Sequence, residues 1–182
     1  MKRNTFMRAI FLGSGILYID SKLSALNIKE NLKKHIKRLQ SKILKNGEGI
    51  SQIVLGDHQT VKLTGKDTYG LLTLIEQYND PGMEIPMHIH QDEDEVFQVL
   101  RGALEVNVGN ETIILKPGDI GFCPRGIPHS WKVVGTEKAK VMLSIFPAGL
   151  EQMFKELSEL PAGPADFEKV AEICSNYNIQ FT

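Results

Sequence analysis

From residue 50 onward the chain alternates apolar and polar residues in short runs, each broken by glycine, proline, asparagine or aspartate, which is the pattern of half-buried strands. Residues 50–55, 60–64 and 70–78 read as the first three strands, separated by Gly56-Asp57, with His58 in that turn, and by Gly65-Lys66-Asp67. Residues 96–100 form another, and Leu104, Val106 and Val108 alternate with polar neighbours up to Gly109-Asn110, a two-residue hairpin signal before residues 112–115. Lys116-Pro117-Gly118-Asp119 is a further turn, and residues 140–146 are the last predicted strand. Beyond Pro147-Ala148-Gly149 the period lengthens to that of a helix over residues 150–160, cut by Pro161 and Pro164, and again over 165–175. Upstream, Ile28, Leu32, Ile36, Leu39 and Ile43 recur every three or four residues among lysines, predicting an amphipathic basic helix over residues 27–40. The expected organisation is a basic extension, residues 1–45, a strand-rich body, 46–148, and a helical tail, 149–182.

Charge sharpens this division. Residues 1–45 carry eleven Lys or Arg against Asp20 and Glu30, a net +9, whereas the rest of the chain carries −10, so the overall −1 conceals a basic leader on an acidic body. Lys2, Arg3 and Arg8 around an apolar run, residues 9–19, with Ser24-Ala25 after it, resemble an export signal, and residues 3–8 resemble a twin-arginine signal with one arginine replaced by Asn4. Two locations follow as expectations: the cytoplasm, with an ordinary N-terminal helix, or export to the periplasm through this degenerate signal. No apolar run predicts a spanning helix, and the basic helix lacks the interleaved aromatics of a nucleic-acid surface, so neither stable membrane insertion nor nucleic-acid binding is expected. The 182 residues, 42% of them apolar, suffice for one substantial core. Cys123 and Cys174 fall in different elements and are expected to be small buried residues.

The chemistry gathers between residues 82 and 129. His88-Ile89-His90 places two imidazoles on one face of an extended strand, Glu95 follows, and His129 returns after the hairpin. Such a set can offer three imidazole nitrogens and a carboxylate to one divalent ion. The competing expectation is a solvated histidine pair beside an exposed acidic loop, Asp92-Glu93-Asp94-Glu95.

Gly82, five residues, His88-x-His90, four residues, Glu95, six residues and Gly102 resemble the first motif of the cupin family. Gly118, five residues, Pro124-x-Gly126, two residues and His129 resemble the second. Val133 departs from the Asn that often ends that motif. From Gly65 onward, including residues 147–154, the chain is similar to bacterial single-barrel cupins grouped with quercetin 2,3-dioxygenases. The resemblance implies an all-β double-stranded β-helix, the cupin jelly-roll barrel, with an N-terminal helical extension and C-terminal helices. It also implies one divalent transition metal per chain, held by His88, His90, Glu95 and His129, with iron, manganese, nickel, cobalt, copper and zinc all compatible with that donor set.

Strand parity then predicts a pocket wall. If Glu95 and His129 point inward, so do Phe97, Val99, Trp131 and Val133, and Phe122, Met142 and Ile75 are further lining candidates, each otherwise plain barrel core. Glu95 is also a candidate general base, and Arg125 is either a contact for an anionic substrate or a solvated loop charge. The function expected is an oxidoreductase of dioxygenase type acting on a small aromatic or enolisable molecule. The alternatives are an isomerase, decarboxylase or lyase using the ion as a Lewis acid, or a non-catalytic binding barrel. Homodimerisation is a further expectation.

Overall fold

The computed structural model describes residues 39–161 and 165–182. The signal-like segment, residues 1–25, and nearly all of the predicted basic helix lie outside the described residues. Within them the strands run β1 (Ile50–Val54), β2 (Asp57–Leu63), β3 (Thr73–Asn79), β4 (Glu84–His90), β5 (Asp94–Arg101), β6 (Ala103–Val108), β7 (Glu111–Leu115), β8 (Ile120–Cys123), β9 (His129–Val134), β10 (Ala139–Phe146) and β11 (Ile179–Phe181). Helices α1 (Gly65–Thr68), α2 (Leu150–Ser158) and α3 (Phe167–Ser175) complete the order.

The strands form two antiparallel sheets, one of six strands ordered β1-β2-β3-β10-β5-β8 and one of five ordered β11-β4-β9-β6-β7. This is the double-sheet jelly roll. Alternation fills the space between the sheets: on β10, Val141, Leu143 and Ile145 are buried while Lys140, Met142 and Ser144 are half-buried on the opposite face. Ile75, Phe97, Val99 and Ile145, each 0% exposed, lie at the centre of the core. Gly102 takes φ 73° between β5 and β6, where an added Cβ would sit 2.7 Å from the Lys138 carbonyl oxygen, so only glycine fits.

Three boundaries differ from the sequence pattern. The β2 strand begins at Asp57, so His58 lies in a strand with its side chain exposed, not in a turn. Residues 65–68 close into the short helix α1 because Asp67 accepts from the Thr64 backbone and hydroxyl, a local cap. The third difference is β11, which the sequence pattern did not predict. It pairs with β4, Ile179 opposite His90 and Phe181 opposite His88.

The helical tail is fastened at its start by Glu151. Its carboxylate accepts from the backbone of Gly65 and Gly149, both at 2.8 Å, and from the Thr73 hydroxyl. Burial pushes its pKa up, but these three donors outweigh burial and hold it below the usual 4.5. The contribution is therefore complete above about pH 4.5 and is lost as pH falls through the lower folded value. Glu151→Gln is expected to cost about 1–2 kcal/mol at neutral pH and to flatten the acid limb of a denaturation-versus-pH curve. An unchanged acid limb would refute this assignment.

Candidate metal centre

Strand β4 turns His88 and His90 to the same inward face, exposed 6% and 2%, while Ile89 between them points the other way. His129, the first residue of β9, stands opposite His88 in the ladder and is 1% exposed. Glu95, near the start of β5, enters from the other sheet and is 3% exposed. One ligand atom from each of the four lies within 4.8 Å of the others. The exposed acidic loop is thus excluded for Glu95, although Asp92 remains on the surface.

Hydrogen bonds fix the inward nitrogens. His88 Nδ1 donates to the Pro86 carbonyl at 2.8 Å and His129 Nδ1 to that of Ile127 at 3.1 Å, which leaves Nε2 of each ring free to donate a lone pair. His129 Nε2 then lies 3.2 Å from Glu95 Oε2, and His90 Nε2 lies 3.9 Å from Glu95 Oε1. Lone pairs facing a carboxylate in a dry interior repel unless a cation or proton lies between them, so this donor set fits a divalent ion. Burial pushes His88 down to about 4, which keeps it in the neutral, metal-binding form. Burial pushes Glu95 up, but His90 and His129 outweigh it and hold the carboxyl at about 2.

His90 has a different support. Its Nδ1 lies 3.7 Å from Glu93 Oε2, and both atoms are buried without a hydrogen-bond partner among the described residues. Glu93→Ala is expected to lower metal affinity roughly 10–100-fold, as loss of a carboxylate behind a ligating histidine does, read by competition with a chelating dye. Unchanged affinity would show that Glu93 does not orient the ring.

A cavity of about 60 Å³ is lined by three of the four donors, His88, His90 and Glu95. Trp131 lines it, whereas Ile75, Phe97, Val99 and Val133 are packed away in the core and are not among its lining residues. Phe122 and Met142 are corrections. The β5–β8 register sets Cys123 opposite Glu95, so Cys123 points inward and Phe122, 57% exposed, faces outward. Met142 faces outward by the same parity on β10. The wall is completed by Ile85 and Leu143, by Asp57, Gln59 and Gln77, and by tail residues including Met153, Phe154, Ile179 and Phe181. Nothing local in the sequence marks these tail residues, because the fold brings them across from a distant segment.

Both cysteines are buried and unpaired. Burial, with the Glu95 charge, pushes the Cys123 thiol up to about 12, and burial pushes Cys174 up to about 11, so neither is a thiolate at neutral pH. Arg125 is exposed and clamps Asp94 with Nε at 3.0 Å and a terminal nitrogen at 2.8 Å, so its charge is engaged. Its guanidinium holds the Asp94 carboxyl at about 2.

Comparison with known proteins agrees with this geometry. Residues 76–146 match the family model described as a cupin domain. Quercetin 2,3-dioxygenase of Bacillus subtilis is 32% identical over 91 residues, half of this chain and 27% of that protein. An uncharacterised protein of Aquifex aeolicus is 38% identical over 63 residues, which make up 50% of its length. The chain therefore spans about a quarter to a half of the curated relatives it matches. Among solved structures, KdgF from Halomonas sp. superposes with a TM-score of 0.55 at 22% identity, covering 62% of this chain and 99% of that one. With the double-sheet barrel, the family-model match and the related sequences taken together, residues 76–146 of the chain form a cupin domain.

Proposed function

We propose that this protein is a metal-dependent oxidoreductase of dioxygenase type, acting on a compact enolisable molecule at the centre formed by His88, His90, Glu95 and His129. The observation that carries this reading is the convergence of four buried donors, three of which line a small cavity. The partial relation to a quercetin 2,3-dioxygenase supports the reaction class.

A divalent ion there would polarise a substrate oxygen and lower the pKa of its hydroxyl. The chain supplies the rest. Pro86 and Ile127 hold two imidazoles in one tautomer, so no reorganisation is needed when substrate arrives. Glu95, 3.2 Å from His129 Nε2, is positioned to take a proton from an enolisable carbon or hydroxyl. Trp131, Leu143 and Phe181 give the cavity an apolar wall. At about 60 Å³ the cavity is far smaller than the roughly 300–1,000 Å³ of ordinary small-molecule sites, which favours a compact enediol or hydroxycarbonyl over a flavonoid.

The test is dioxygen consumption by protein loaded in turn with iron, cobalt, nickel or manganese and offered a panel of enediols, hydroxyketones and flavonols. Uptake that requires both metal and substrate and disappears in Glu95→Ala is the expected result. Substrate conversion without dioxygen uptake would replace this reading with Lewis-acid isomerase or lyase chemistry, and binding without conversion would leave a ligand-binding barrel.

A further inference from the structure

Strand β2 opens Asp57-His58-Gln59, and alternation turns Asp57 and Gln59 inward, 2% and 4% exposed. From β3, Gln77 and Asn79 arrive on the same side, 3% and 2% exposed. A carboxylate in a barrel interior is costly unless hydrogen-bonded. Here Gln59 and Gln77 each donate an amide to Asp57 Oδ2, at 2.8 and 2.7 Å, and Asn79 donates to Oδ1. An ionised carboxylate offers about four acceptor positions, so these three donors leave one on Asp57 for a further group.

Asp57, Gln59 and Gln77 line the same cavity as His88, His90 and Glu95, and Asp57 and Glu95 are the two carboxylates on its wall. Strand pairing does not require this acid, because Gln59 already stands opposite Gln77 in the β2–β3 ladder. Burial raises the Asp57 pKa despite the three amides. One more donor would favour its ionised form.

We propose that Asp57, held by Gln59 and Gln77, is the polar end of the substrate pocket and accepts a hydrogen bond from a hydroxyl of a compact ligand whose other end sits at the metal centre. The proposal rests on the metal reading given above. A cavity of about 60 Å³ has the room of about two waters, so the ligand class is a short neutral hydroxy compound, such as a hydroxyaldehyde, with a separate donor atom for the ion.

The test uses two thiols of equal shape, 2-mercaptoethanol and 1-propanethiol, on the full chain loaded with Co(II), with affinity read from the thiolate-to-cobalt absorption. The pair differs only in a terminal hydroxyl against a methyl. Comparing their affinity ratio in the native protein and in Asp57→Ala isolates the hydroxyl–carboxylate contact from any chelation. A ratio that falls roughly tenfold or more in the variant, as loss of a hydrogen bond to a charged group predicts, supports the proposal. A change under about twofold, with cobalt bound in both proteins, overturns it and leaves the metal reading standing. Failure of the native protein to bind cobalt overturns both. If Asp57→Ala does not fold, the side-chain amide signals of Gln59 and Gln77 in the native zinc-loaded protein decide the matter by NMR. They should shift with 2-mercaptoethanol and not with 1-propanethiol, and equal responses to the two overturn the proposal.

Discussion

His129→Ala is expected to lower metal affinity by more than about a hundredfold, beyond the range seen when only a supporting residue is removed. The reason is geometric. His129 supplies the one imidazole from β9, it contacts Glu95 at 3.2 Å, and no other described side chain on that strand reaches the cluster. Because an ion binding only the folded state stabilises it by about 4 kcal/mol at a thousandfold excess over Kd, native protein should melt markedly higher with metal than without. The variant should show little metal-dependent shift. Isothermal titration with Co(II) and paired melting curves would read both effects. A variant that binds nearly as tightly as the native chain would show that the ion, if bound, does not lie among these four donors.

Phe97→Ala should act in the opposite way, on stability and not on the site. Phe97 is 0% exposed and packs in the core away from the cavity wall, so truncation removes a buried ring that the surroundings cannot refill. The expected cost is about 3–5 kcal/mol, measured by denaturant unfolding, with metal affinity in the folded fraction unchanged. A small stability loss with a large affinity loss would return Phe97 to the pocket wall.

The contrast between these residues shows what was legible in the sequence. Alternation revealed most strands because each buries one face, and the His88-x-His90 spacing survives folding because neighbours two apart on a strand stay on one side. Parity from Glu95 correctly sent Phe97 and Val99 inward, but inward is not the same as cavity-lining. The interior divides into packed core and pocket according to what the tail covers. Phe122 was misplaced because Ile120-Gly121-Phe122-Cys123 is apolar at both parities, and the face is decided by the Glu95–Cys123 register across the sheet.

Two parts of the site had no sequence signal. The β11 strand is three residues long, too short for any period, and its place beside β4 depends on pairing with a strand some 90 positions away. Its Ile179 and Phe181 nevertheless line the cavity. Asp57, Gln59 and Gln77 read as ordinary polar positions, since a strand pattern is recognised by its apolar members and an inward polar cluster weakens that pattern. Residues of this kind, which break the local rule and are then satisfied by one another, are where function is to be sought.

The central claim is that the four convergent donors hold a metal ion. It is tested most directly by elemental analysis of the full chain purified without a chelating tag, alongside His88→Ala prepared in the same way. The account predicts close to one equivalent of a divalent transition metal per native chain and a sharp loss in the variant. A native protein that carries no metal and takes up none on reconstitution would contradict it.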